Sequence, residues 1–203
     1  VSNGPEILPY LLYIVLPVPL ALNIIHILSI DLGTDLVPSM GLGQEPADPE
    51  VMRKPPRQPS QSLLSKQLML RSYCFLGLIE GLWSIFLFFY VLISGGWHYG
   101  ESLAATTPLH QAATGITLST ILLMQIGNLV GRRFEFCSGL DLGLLRNRLL
   151  FAGILIQIVL SWAILYWPPL ARALNTGPVA PEIYGLAWLG IGIIFTIDYL
   201  RKV

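Results

Sequence analysis

Asp31-Leu32-Gly33-Thr34-Asp35 stands inside an apolar run from Leu20 to Leu42, with Pro38 just after it. Two carboxylates four residues apart in such a run are costly, since an ionisable side chain at a bilayer centre costs roughly 2.5–3.5 kcal/mol. They are tolerated only where something cationic, polar or wet faces them. Gly33 permits local unwinding, and irregular backbone at membrane depth is accepted only where it lines a cavity within protein. Unwinding would set carbonyls beside two carboxylates and the Thr34 hydroxyl. Hard cations such as calcium, sodium and potassium prefer that all-oxygen environment. The stretch therefore points to an ion pathway. The plainer alternative is a carboxylate pair sharing one proton and held by hydrogen bonds for helix packing.

The rest of the chain agrees with a membrane setting. It has 203 residues, 54% of them hydrophobic and 12% charged, which is the composition of a membrane protein rather than a soluble domain. The formal net charge of zero gives a nucleic-acid partner no electrostatic support. Cys74 and Cys137 have no CxxC or Cys/His spacing, so neither a thiolate metal site nor a disulfide framework is expected. The N-terminus lacks the basic region of a signal peptide.

A hydrocarbon core about 30 Å thick needs about 20 apolar helical residues. Segments 20–43, 69–93, 112–131, 147–167 and 182–199 meet this, and 5–17 is a sixth, shorter one. At 1.5 Å per residue the last spans only about 20 Å, so the chain reads as beginning in mid-membrane. The expected fold is an all-α polytopic bundle of six helices forming one transmembrane domain over 1–203, the first truncated and the second unwound near Gly33. Helices joined by short connections, such as 5–17 and 20–43, are expected to be antiparallel neighbours.

The basic residues orient the bundle. Arg53, Lys54, Arg57, Lys66 and Arg71 lie in or beside the 44–71 connection, Arg132, Arg133, Arg146 and Arg148 around 132–148, and Arg201 and Lys202 at the C-terminus. Only Arg172 falls on the other side. The positive-inside rule places the basic side, the C-terminus included, in the cytoplasm. Residues 44–66 form a Pro-, Gln- and Ser-rich cytoplasmic loop, read as a semi-extended connector or as a docking surface for a cytoplasmic domain or anionic headgroups. His98 and His110 read as solvated residues of the outer loop 94–111. Trp97, Tyr99, Trp167, Tyr184 and Tyr199 fall near segment ends, as an interfacial belt would.

Further polar residues lie at membrane depth. Helical spacing puts Ser2 and Asn3 on nearly the same face as Glu6. Pro5 and Pro9 free the carbonyls four residues before them, and these need a cation, water or a neighbouring helix as partner. Glu80 lies about 13 Å along its helix from Arg71. It is a ligand, a proton-relay group or the partner of a polar neighbour. Gln125 and Asn128 share a face, with Thr114, Thr117 and Thr120 upstream. Such groups commonly bond across membrane helices, so packing competes with ligation there, as it does for Gln157.

Ser2-Asn3-Gly4-Pro5-Glu6-Ile7-Leu8-Pro9 and Ile27-Leu28-Ser29-Ile30-Asp31-Leu32-Gly33-Thr34-Asp35-Leu36-Val37-Pro38 resemble the fifth and sixth transmembrane helices of type II P-type cation-transporting ATPases. The pattern is nearest that of the sodium/potassium pump. Glu45-Pro46, Asp48 and Met52-Arg53-Lys54-Pro55-Pro56-Arg57 resemble the loop that follows. Gly131-Arg132-Arg133 and Arg146-Asn147-Arg148 resemble the boundaries around the eighth and ninth helices. The resemblance is close over residues 1–57 and looser beyond, and it covers the whole chain.

The resemblance implies the carboxy-terminal membrane part of such a pump, with cation ligands at Ser2, Asn3, Glu6, Asp31, Thr34, Asp35, Gln125 and Asn128. It implies a transported sodium, potassium, calcium or proton, moved by alternating access. ATP and magnesium would act through cytoplasmic domains, which are missing here together with the first four helices and the phosphorylated-aspartate motif. Alone, the chain is not expected to hydrolyse ATP. The implied partners are the lipid bilayer, those missing parts and room for an accessory subunit, and the implied location is the plasma membrane.

Departures from the pattern are informative. Asn128 and Gln157 stand where the sodium pump has acids, which puts a third sodium site in doubt, and Gln125 stands where the calcium pump has one. Glu80 is an acid the pattern does not contain. The alternative to a pump part is a stand-alone membrane scaffold or regulatory subunit with relic ion sites. A DKTGT-type motif upstream of Val1 would separate the two.

Overall fold

The computed structural model describes residues 3–31, 36–45, 66–133 and 147–202. Ser2, Thr34, Asp35, Cys137 and most of the 44–66 loop lie outside the described residues, as does the expected unwinding at Gly33. The regular structure of the described residues is helical throughout. The elements are α1 (Asn3–Val15), α2 (Ile24–Ile30), α3 (Leu36–Gly43) and α4 (Lys66–Met69). The last runs through a π-helical stretch, Leu70–Gly77, into α5 (Leu78–Ser94). There follow α6 (Pro108–Arg132), α7 (Arg148–Tyr166), α8 (Pro168–Leu174) and α9 (Pro181–Lys202).

Among the described residues, four helical stretches are long and apolar enough to cross a membrane: Leu70–Ser94, Pro108–Arg132, Arg148–Tyr166 and Pro181–Arg201. They coincide with four of the expected spans. The remaining span, 20–43, contains two helices of seven and eight residues. The outer surface is apolar, with Ile14, Val15, Ile24, Val159 and Leu200 all exposed. A monomeric soluble protein rarely carries so extensive an apolar surface; lipid or further apolar helices suit it.

The long helices surround α6, which packs on α5, α7 and α9. Along its membrane-length stretch α6 is buried on all sides, and its sequence explains why. It carries Thr114, Thr117, Ser119, Thr120, Gln125 and Asn128 around its circumference. Polar groups facing lipid would be unsatisfied, so the most polar span takes the centre. Ile116, Leu123, Phe88 and Val91 fill the main core around it.

The threonines satisfy themselves within their own helix, contrary to the expected cross-helix bonding. Thr117 Oγ1 donates to Ala113 O at 2.7 Å and Thr120 Oγ1 to Ile116 O at 2.6 Å. The i−4 carbonyl is the nearest acceptor to a helical threonine hydroxyl. Ser119 on the same helix does reach across: its Oγ donates to Ser161 O on α7 at 3.1 Å.

Two further expectations are corrected. His110 is no loop residue: it sits in the first turn of α6, 7% exposed, with Nε2 3.1 Å from Leu20 O. Pro108 at the start of α6 begins the helix earlier than hydropathy suggests. Trp97 is buried rather than interfacial, its Nε1 donating to Glu101 O at 2.9 Å.

The short helices lie on the outside of this core. α1 packs on α5 and the π-helical stretch, and α3 packs on α7. Their main contacts are thus with later helices, not with each other across the 16–23 connection as the short linker suggested. Small residues make these approaches close. A Cβ on Gly41 would lie 2.8 Å from Leu150 N and 2.9 Å from Leu150 Cα, and one on Gly153 would lie 3.2 Å from Pro38 N. Backbone cannot yield as a side-chain tip can. Gly41→Ala is therefore expected to destabilise the α3–α7 pair by about 1–3 kcal/mol, read as a lower thermal midpoint in detergent. An unchanged midpoint would show that the two helices are held apart by more than the structure indicates.

Candidate functional site

Near the basic end of the bundle, α3, α6 and α7 line an open cavity of about 420 Å³ with Asp31 on its wall. The α6 wall is Gln125, Asn128, Leu129 and Arg132. This i, i+3, i+4, i+7 set is one face of a helix. Pro38 and Ser39 come from α3 and Gln157 from α7. Asp31 carries helical backbone at the end of α2, with φ −59° and ψ −49°.

The cavity gathers Asp31, Gln125 and Asn128 from the residues singled out in the sequence. It also holds Gln157, weighed in the sequence between packing and ligation; this residue is 1% exposed, and its Oε1 has no hydrogen-bond partner among the described residues. Glu6, on α1, is 3% exposed and is not among the described residues that line this cavity. Asn3 is exposed at the start of α1. Ser2, Thr34 and Asp35 lie outside the described residues.

The donor set is a carboxylate, a serine hydroxyl and three amides. It holds no thiol or imidazole, and among the described residues no group of three or more His, Cys, Asp or Glu side chains is placed to hold a metal ion. Oxygen donors of this kind suit a hard cation better than a transition metal.

Behind the cavity wall, Asn128 Nδ2 donates to Glu80 Oε2 at 2.8 Å, with Glu80 fully buried. Glu80 stands three residues beyond the end of the π-helical stretch. Short π segments within α-helices occur often at functional sites. No residue type in Leu70–Gly77 signals that geometry in advance.

A polar strap closes the basic end. Arg133 Nε and Nη2 donate to Glu45 Oε1 and Oε2, each at 3.2 Å. Asn147 Nδ2 donates to Glu45 Oε1 at 2.9 Å and to Gly41 O at 2.8 Å. Asn147 Oδ1 accepts from Leu150 N and caps α7. One carboxylate thereby ties together the ends of the three helices that form the cavity.

The opposite end holds a second cavity of about 680 Å³, lined in part by Asn23, His26, Glu101 and His110. There Asn23 caps α2 reciprocally: its Oδ1 accepts from His26 N at 2.9 Å, and its own N–H donates to His26 Nδ1 at 3.2 Å. His26 Nε2 lies 2.6 Å from Leu174 O. These bonds fix the start of α2, one end of which carries Asp31.

Comparison with known proteins gives a consistent result. Residues 19–203 match the family described as "Cation transporting ATPase, C-terminus". Potassium-transporting ATPase alpha chain 2 of Oryctolagus cuniculus is 29% identical over 226 residues, covering 99% of this chain and 21% of that protein. Sodium/potassium-transporting ATPase subunit alpha-3 of Gallus gallus is 29% identical over 230 residues, covering 99% and 22%. The Rattus norvegicus alpha-3 subunit is 28% identical over the same length. The chain spans about a fifth of the length of these relatives.

Proposed function

Because the chain belongs to the cation-transporting ATPase C-terminus family, we propose that it forms the cation-binding and translocation part of an ATP-driven pump. The observation that carries this reading is the cavity in which Asp31 meets Gln125, Asn128 and Gln157. A carboxylate supplies the charge, and amide oxygens complete the replacement of a hydration shell.

The mechanism is alternating access. The cation binds while the carboxylate site opens to one face of the membrane, and its affinity falls when the site opens to the other. Such a shift requires that the cation bind the two states differently. ATP and magnesium act through parts of the pump outside these 203 residues, driving the change of state. Ser2, Asn3, Glu6, Thr34 and Asp35 complete the ligand set in the states that transport passes through. The pump lies in the plasma membrane with the basic loops and C-terminus cytoplasmic, and an accessory subunit is compatible with its outer loops.

The names of the relatives favour sodium or potassium as the cargo, and the oxygen donor set accepts either. The test is phosphorylation of the complete pump by ATP, titrated separately with sodium, potassium, calcium and protons. Saturable stimulation by at least one of them is expected. Phosphorylation indifferent to all four, or a polypeptide that forms no phosphoenzyme, would favour the scaffold alternative.

A further inference from the structure

We infer that Glu80 is a positioning residue for the cation cavity, acting through Asn128. The inference rests on the cavity being a cation site. Glu80 is fully buried on α5 and does not itself line the cavity. Burying a carboxylate in a membrane bundle is costly, so its place calls for a reason beyond packing. Its Oε2 accepts from Asn128 Nδ2 at 2.8 Å, and Asn128 is a wall residue between Gln125 and Arg132.

An asparagine amide presents a nitrogen and an oxygen that diverge from one carbon, so fixing one fixes the other. A cation needs the oxygen. An ionised carboxylate is acceptor-only and selects the amide nitrogen. Glu80 therefore commits Nδ2 to the α5 side and leaves Oδ1 as the atom Asn128 offers to cargo. It also lends that amide negative potential through a charge-assisted bond without becoming a ligand itself. Glutamine at this position would not choose, because its own amide can donate or accept.

The helix packing supports a fixed geometry for the pair. Gly81, next to Glu80, lies against Pro5 and Leu8 of α1, a close approach that leaves little freedom at this level of α5. Trp83 Nε1 donates to Leu186 O on α9 at 3.3 Å one turn further on. Glu80 is thus anchored from two sides while it holds the α6 amide.

The test is a double-mutant cycle in the complete pump, reading phosphoenzyme formation while sodium, potassium and calcium are titrated singly. Glu80→Gln is expected to raise the half-saturating concentration of the activating ion about tenfold, with the maximal phosphoenzyme level unchanged. Asn128→Ala is expected to do much the same. Combined, the two should be no worse than Asn128→Ala alone, since Glu80 works only through that amide. An additive loss of about a hundredfold, or no effect of Glu80→Gln, overturns the inference.

Glu80→Met, which keeps length and suits an apolar interior, serves as the second variant should Glu80→Gln fold poorly, and the same coupling is expected. Asp31→Asn, run alongside, separates the levels of the argument. If it too leaves the ion response intact, the cavity is not the cation site. If it abolishes the response while the position-80 variants stay uncoupled from Asn128, only the role of Glu80 fails.

Discussion

Asp31→Asn is expected to abolish ion-stimulated phosphorylation of the complete pump at ordinary ion concentrations, raising the half-saturating concentration by at least about a hundredfold, or about 2.7 kcal/mol. Among the described lining residues of the cavity Asp31 is the one carboxylate; Gln125, Asn128 and Gln157 are neutral amides and Arg132 is a cation. A cation leaving water for this site must have its charge met by a fixed opposite charge. Amide dipoles stabilise it but do not neutralise it, and Arg132 works against it.

The substitution changes little else. Asn has the shape of Asp and keeps one oxygen, so the loss measures charge rather than packing. Asp31 is exposed in the chain, and its replacement should leave the thermal midpoint where it was. The pairing of an unchanged midpoint with a lost ion response is the expected result. A variant that transports normally would defeat the assignment of this cavity. Asp35→Asn is expected to act in the same direction, since Asp35 is a second carboxylate only four residues from Asp31 in the sequence.

The sequence declared the bundle more fully than the site. Four spans were legible because about 20 apolar residues in a row have few other uses, and the basic clusters marked their ends. The place of α6 at the centre was also latent in its polarity, which only burial on all sides can satisfy. The threonines were less legible: a hydroxyl in a helix can turn to its own carbonyl or to a neighbour, and composition does not choose between them. His110 reads as a loop residue because a neutral, glycine-rich loop precedes it and Pro108 alone announces the helix. The pair Glu80–Asn128 and the strap from Glu45 to Arg133 join residues 48 and 88 positions apart. Nothing local in either partner names the other. Glu80 could be recognised as anomalous from its depth, but its partner required the packing of α5 on α6.

Arg133→Ala is expected to cost about 3–5 kcal/mol, the usual penalty for removing one partner of a buried ion pair. Side-chain exposure is 1% for Arg133 and 8% for Glu45, so the carboxylate left behind cannot turn to water for compensation. Asn147 would still donate to it, but an amide carries no net charge. The same carboxylate joins the ends of α3, α6 and α7, so the loss falls on the frame of the cavity as well as on stability. Replacing both partners by methionine should recover most of the thermal midpoint, because an apolar pair of similar volume often matches a buried ion pair in stability. The double variant should still bind cations less tightly, since methionine cannot hold Asn147 against Gly41 and fix the ends of the three helices. Thermal inactivation of the detergent-solubilised pump, with ion titrations of each variant, reads both effects. If Arg133→Ala keeps the wild-type midpoint, the pair is exposed to water in the assembled pump and carries no structural weight; if the double variant binds cations normally, the strap stabilises the frame without setting the geometry of the site.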